Sequence, residues 1–149
     1  MANDNEQTNI DYGILNDLVG YRLRRAQIAF FNSFANRCAK FDITPGLFGV
    51  IEIVEKNPGL TQTAIANALG NDRSSMVYAV DKLEKMNIIE RKTSENDRRS
   101  YALFMTNQGR VFYETLVSEV FAHEEEFYAL LKKGEKELLV DILKRFVSA

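Results

Sequence analysis

The chain has 149 residues, a net charge of −2, and 46% hydrophobic against 27% charged side chains, the balance of an ordinary globular protein read as one unit over 1–149. No stretch approaches the roughly 20 apolar residues a membrane-spanning helix needs, and Met1–Thr8 has no apolar run, so neither a signal peptide nor a membrane anchor is expected. A single cysteine, Cys38, excludes an internal disulfide framework and fits a reducing, cytoplasmic setting.

Ile14 to about Lys40 reads as one long helix, because Leu15, Val19, Leu23, Ala26, Phe30 and Phe34 recur at three- and four-residue spacing. Ile14, Tyr21, Ile28 and Phe31 add apolar area to a second face. Thr44-Pro45 opens the next helix, with threonine as N-cap and proline at the first helical position; it runs through Phe48, Ile51 and Val54 to Asn57-Pro58-Gly59. Thr61 caps a short helix that ends at Gly70-Asn71. Asp72 caps another, from Arg73 to about Met86, with Met76 or Val77, Val80 and Leu83 facing inward. Ile88–Lys92 and Ser100–Met105 are strand-like runs joined by the polar loop Glu95–Ser100, a β-hairpin pattern. Thr106 caps a long helix carrying Phe112, Leu116, Val120, Phe127 and Leu131. Gly134 breaks it, and Glu135–Val147 forms a last amphipathic helix with Leu138, Leu139, Ile142, Leu143 and Phe146.

Two short helices joined by a tight turn and followed by a basic hairpin form a winged helix-turn-helix. The expected class is therefore mainly α with a small β-hairpin wing. The winged part spans about 44–106, and helices over about 11–40 and 107–148 flank it. Those outer helices carry broader apolar faces than a monomer can bury. Each aliphatic or aromatic side chain removed from water contributes about 1.5–3 kcal/mol, so a homodimer is expected, held by the terminal helices.

Overall acidity argues weakly against a nucleic-acid partner, but the charge is segregated. Arg73 to Arg99 holds seven bases against five acids, whereas Val111 to Ala149 holds eight acids against five bases. One basic surface is what phosphate contact requires. In a helix-turn-helix the second helix enters the major groove with its N-terminal residues at base edges. Arg73, Ser74, Ser75, Tyr78 and Lys82 occupy those places, and the free N–H groups at the helix start suit a phosphate oxygen. Arg91, Arg98 and Arg99 place three cations at the base and tip of the hairpin. Asp97 and Arg99 have the same parity on an extended segment, so the carboxylate can position the guanidinium against a phosphate or a minor groove. Taken singly, each of these residues also fits a solvated surface, where an ion pair contributes at most about 1 kcal/mol; together they point to DNA.

The order and motifs resemble the MarR family of winged-helix regulators over about Ile14 to Val147. The resemblance rests on Leu60-Thr61-Gln62-Thr63-Ala64-Ile65-Ala66, Asp72-Arg73-Ser74-Ser75-Met76-Val77 and Asp81-Lys82-Leu83-Glu84. It rests also on Asp97-Arg98-Arg99 with Met105-Thr106-Asn107-Gln108-Gly109. It implies a homodimer that binds a palindromic operator in double-stranded DNA and is released by a small ligand. Asp97 and Arg99 match the family's wing pair, and Ser74 and Ser75 its recognition-helix contacts. Tyr78 departs from the family's frequent arginine and cannot grip guanine with two hydrogen bonds.

Leu18 to Phe41 contains five bases (Arg22, Arg24, Arg25, Arg37, Lys40) and no acid. The family's ligand pocket lies between the dimerisation helices and the winged unit, and Tyr21–Gln27 resembles members that sense phenolic acids or their coenzyme A thioesters. Tyr21, Arg22, Arg25, Ile28 and Phe48 are the effector candidates. Arg25, Tyr21 and Ile28 share one helical face, a seat for a carboxylate or phosphate beside a ring. Pairing of these arginines with Glu124, Glu125 and Glu126 is the competing reading. Cys38 near Arg37 and Lys40 raises a thiol-based redox sensor as an alternative function, although a lone cysteine more often packs as a small apolar residue. A protein-interaction winged helix without DNA is a second alternative. His123 has no companion ligand for a metal site, so a structural role is expected. No phosphate-cradling loop or activated nucleophile appears, so neither catalysis nor a cofactor is expected.

Overall fold

The computed structural model describes residues 9–94 and 101–148. Six α-helices and one two-stranded antiparallel hairpin are present among them: α1 (Val19–Arg37), α2 (Pro45–Lys56), α3 (Gln62–Leu69), α4 (Arg73–Lys85), β1 (Ile89–Thr93), β2 (Tyr101–Met105), α5 (Asn107–Tyr128) and α6 (Glu135–Val147). This is the mainly helical, winged helix-turn-helix class expected from the sequence.

Local chemistry starts four of the helices. The hydroxyls of Thr44, Thr61 and Thr106 accept hydrogen bonds from the backbone N–H groups of Leu47, Ala64 and Gly109, and the Asp72 carboxylate accepts from Ser75 N–H. Each cap satisfies one of the N–H groups that a helix start leaves free. Helix α3 ends at Gly70 and α6 begins after Gly134, both in the left-handed region.

The expected helix from Ile14 to Lys40 is divided. A 3-10 turn covers Gly13–Asp17, Leu18 is extended (φ −85°, ψ 119°), and α1 begins at Val19. Asn16 and Asp17 are poor helix formers because their side chains compete for nearby backbone groups. The Asp11 carboxylate accepts from Gly13 N–H, and the Arg22 guanidinium donates back to the Asn16 carbonyl at 3.0 Å, so the turn is closed from both sides. Ile14 and Leu15 therefore leave the stripe of α1.

The core lies between α2, α3, α4 and the hairpin. Val50, Ile51, Val54, Ile65, Val80, Leu83 and Leu103 are wholly inaccessible to solvent. Of the two inward candidates on α4, Met76 is buried and Val77 is not. The hairpin pairs Ile89 with Met105, Arg91 with Leu103 and Thr93 with Tyr101. The segment before α3 bridges to β2, since Leu103 N–H donates to the Leu60 carbonyl and Gly59 N–H to the Leu103 carbonyl.

The start of α5 is sutured to the end of α4. Asn87 takes the left-handed conformation (φ 57°), and its side-chain amide donates to Gln108. The Thr106 hydroxyl donates to the Asn87 carbonyl at 2.6 Å while accepting from Gly109 N–H. A Cβ on Gly109 would lie 2.0 Å from the Ile88 carbonyl oxygen, so only glycine permits this approach. Farther along α5, Tyr113 donates to Glu52 of α2 at 2.6 Å. His123 is fully buried between the rings of Phe30, Phe34 and Phe127, at centroid separations of 4.6, 5.3 and 5.2 Å. Neither of its ring nitrogens has a hydrogen-bond partner among the described residues.

Candidate functional site

Helix α4 turns Met76, Ala79, Val80 and Leu83 inward, which leaves Arg73, Ser74, Val77 and Tyr78 exposed on the other side. An open cleft runs beside it, lined by Gln62 and Thr63 of α3, Arg73 and Val77 of α4, and Arg91 and Tyr101 of the hairpin. The second helix of the helix-turn-helix and the foot of the wing thus face one shared space.

The candidate DNA residues are in unequal states. Arg73 and Ser74 are exposed at the first turn of α4. Ser75 is exposed too, but its hydroxyl donates to the Asp72 carboxylate at 2.8 Å and completes the cap. The backbone and side-chain hydrogen bonds from Ser75 hold the Asp72 carboxyl below its ordinary range. Lys82 is half-buried and pairs with Asp42 at 3.0 Å. Asp42 sits in the link between α1 and α2 with a left-handed backbone (φ 54°), so Lys82 ties the last turns of α4 to that link.

Arg91, at the base of the hairpin, is engaged by acids of α4. Its guanidinium donates to Asp81 and, at 3.0 Å, to Glu84, and its backbone N–H donates to Glu84. It braces the hairpin against α4. Asp97, Arg98 and Arg99 lie outside the described residues. The sequence offered Val77 only as an inward-facing candidate and did not single out Tyr101 or Asp42. Val77 was foreseeable from its three-residue spacing to Ser74, whereas Asp42 lies forty positions before Lys82 and left no local signal.

The effector candidates occupy two separate regions. Tyr21 is half-buried, with its ring 6.3 Å from that of Tyr12. Arg22 is committed to Asn16, and Arg25 and Ile28 are exposed. Phe48 packs toward the core, 6.5 Å from the Phe34 ring. The acids of α5 act at the other end of α1: Arg37 pairs with Glu119 and Glu126, and Lys40 with Glu119. Lys40 and then Arg37 hold the Glu119 carboxyl below its ordinary range. Among the described residues Arg24 and Arg25 have no ion-pair partner, so the expected alternative pairing with Glu124–Glu126 is realised only at Arg37.

Cys38 is fully buried. Burial and then Glu119 push its thiol up, against the smaller opposing effects of Arg37 and Lys40. That setting opposes thiolate formation.

The exposed apolar surface is concentrated in the outer elements. Ile10, Tyr12, Ile14, Leu15, Val19 and Leu23 are exposed at the N-terminal side, as are Leu138, Leu139, Leu143 and Phe146 on α6. No helix among the described residues is long and apolar enough to cross a membrane.

Comparison with known proteins places these features in a family. The MarR family profile matches residues 43–101, from the link before α2 to the start of β2. A Thauera aromatica protein, described as a transcriptional regulatory protein for the hcr operon, is 39% identical over 135 residues, covering 90% of this chain and 81% of the relative. The transcriptional repressor CouR, solved bound to a 23-mer DNA duplex, superposes with a TM-score of 0.88 at 33% identity over 94% of this chain and 99% of CouR. CouR solved with p-coumaroyl-CoA gives a TM-score of 0.85 at 32% identity, covering 93% of this chain and 97% of CouR. By sequence, by fold and by the exposed second helix of its helix-turn-helix, the chain belongs to the MarR family and is a transcriptional regulator of that type.

Proposed function

We propose that this protein is a ligand-responsive repressor that pairs through its terminal helices and binds a palindromic operator. Each protomer presents the N-terminal half of α4 to a major groove and the wing, at Arg99, to the backbone or minor groove. Twofold symmetry sets the half-site centres about 10 bp apart, one helical turn. The observation that carries this reading is the composition of α4: its buried side completes the core, while Arg73, Ser74, Val77 and Tyr78 stay in solvent beside the wing cleft. The likeness to a repressor solved on a DNA duplex supports it. The exposed apolar faces of α6 and of the segment before α1 supply the surface for pairing.

The effector we propose is a small anionic aromatic acid or its coenzyme A thioester. Support comes from Arg24 and Arg25, which have no ion-pair partner among the described residues and lie on an acid-free stretch of α1, and from the likeness to CouR with p-coumaroyl-CoA bound. Arg25 supplies the cation, and Tyr21 and Ile28 on the same face of α1 the apolar wall; Phe48 lies apart, packed toward the core beside Phe34. A ligand that binds better to a protomer spacing unsuited to the operator lowers DNA affinity by its differential affinity for the two states. The Cys38 redox alternative loses ground to the burial that raises its thiol.

Gel shifts at fixed salt test the reading, using a duplex selected from a random pool. Arg99→Ala lowers affinity while sedimentation shows the same dimer, and p-coumaroyl-CoA releases the wild type but releases Arg25→Ala less completely. Absence of salt-dependent DNA binding by the wild type would refute the DNA assignment and favour a protein-interaction winged helix.

A further inference from the structure

The side of α4 left in solvent is less polar than its basic surroundings imply. On the first turn it presents Arg73 and Ser74; on the second it presents Val77, 39% exposed, and Tyr78, 67% exposed. Spacings of three and four residues bring Ser74 beside both Val77 and Tyr78, and Arg73 beside Val77. Three further polar side chains on or beside α4 are already engaged. The Ser75 hydroxyl donates to Asp72, Lys82 is held by Asp42, and Arg91 is held by Asp81 and Glu84. Arg73 and Ser74 therefore remain the polar side chains of the first turn, followed by a valine and an aromatic ring.

The major groove offers one apolar feature, the C5-methyl group of thymine, and apolar side chains read it by contact. Resting on the DNA-binding reading above, we infer that Val77 and the ring of Tyr78 recognise thymine methyl groups at the half-site step facing the second turn of α4. Arg73 and Ser74 then serve the adjoining step. The division follows from what each side chain can do: an arginine fork matches the acceptors of guanine, whereas valine has no group to offer them. Tyr78 acts through its ring face, so its hydroxyl is dispensable for the discrimination.

The test uses the full chain and duplexes selected by it from a random pool. The selected sequence is remade position by position with 2′-deoxyuridine in place of thymidine, which removes the methyl and keeps every hydrogen-bonding group. At the read step, uracil weakens wild-type binding about fourfold per methyl lost. Val77→Ala and Tyr78→Ala bind thymine and uracil duplexes more nearly alike at that step, while Tyr78→Phe discriminates as the wild type does. All three changes lie on the exposed side of α4, and circular dichroism confirms that the variants are folded. Equal wild-type affinity for thymine and uracil at every position overturns the inference but leaves DNA binding intact. Lost discrimination in Tyr78→Phe overturns the ring assignment and gives Tyr78 a hydroxyl contact instead. Failure to select any duplex defeats the inference together with the DNA-binding reading on which it rests.

Discussion

The unit built from α2, α3, α4 and the hairpin and the elements at the chain's two ends have similar amphipathic patterns and opposite fates. In the first, α2 and α4 bury four apolar residues each, and the hairpin closes over them. In the second, α6 has no buried residue: Leu138 is 57% exposed, Phe146 50% and Val147 88%. The difference lies in what each stripe meets. Within the winged unit, apart from Val77, Tyr78 and Tyr101, the large apolar side chains among the described residues find others in the same chain. The terminal faces stay exposed in the single chain, which supports the proposal that a second copy covers them.

The largest effect is expected where that interface is broken. Leu139→Asp combined with Phe146→Asp removes two apolar groups from each protomer and introduces charge, at about 1.5–3 kcal/mol per lost side chain. Sedimentation is expected to show monomers, while amides of α2 and β2 keep their protection from hydrogen exchange. Loss of protection throughout would show that the winged unit is not self-sufficient. Gly109→Ala attacks the unit from within. Its new Cβ overlaps the Ile88 carbonyl, and a cost of about 3 kcal/mol, the upper end for forced overpacking, should appear in urea unfolding. An unchanged midpoint would mean that the suture between α4 and α5 yields freely.

Arg91→Gln sharpens the contrast between bracing and DNA-contacting arginines. Its partly exposed pairs predict a stability loss of about 1 kcal/mol. The salt dependence of DNA binding should be unchanged, whereas removing a phosphate contact lowers the salt slope by about 1. The smallest effect is expected at the cap of α4. The Asp72 carboxyl titrates below its ordinary 3.8 in the folded chain, so its contribution is complete above about pH 4 and is lost as acid carries the pH through the lowered value. Asp72→Asn retains a capping oxygen that does not titrate. Urea midpoints at pH 5 and pH 3 should therefore differ less in this variant than in the wild type.

The elements that could be read from the sequence are those whose signals are local. Thr44, Thr61, Asp72 and Thr106 each cap through a bond to the residue three positions on, so cap and helix start stand together in the chain. The exposed first turn of α4 followed from the same logic. The commitments of Lys82 to Asp42 and of Arg37 to Glu119 and Glu126 span forty or more positions, and charge patterning names no partner at that distance. Periodicity also carried the first helix through Leu18, because an apolar stripe continues where the backbone does not. Arg22 shows the consequence: it was expected at an effector and instead holds the preceding turn.

The extended backbone of Leu18 has a kinematic consequence. Gly13–Asp17 behaves as a short arm of about 10 Å by 3-10 geometry, joined to α1 through that residue's two torsions. The arm is steadied by the Arg22–Asn16 hydrogen bonds and the approach of Tyr12 to Tyr21. Those two angles govern the direction in which Ile14 and Leu15 project, and small rotations there re-aim the arm without disturbing a single hydrogen bond inside α1. Fitting the arm to a neighbouring surface then turns that joint and releases the Arg22 hydrogen bonds that steady it.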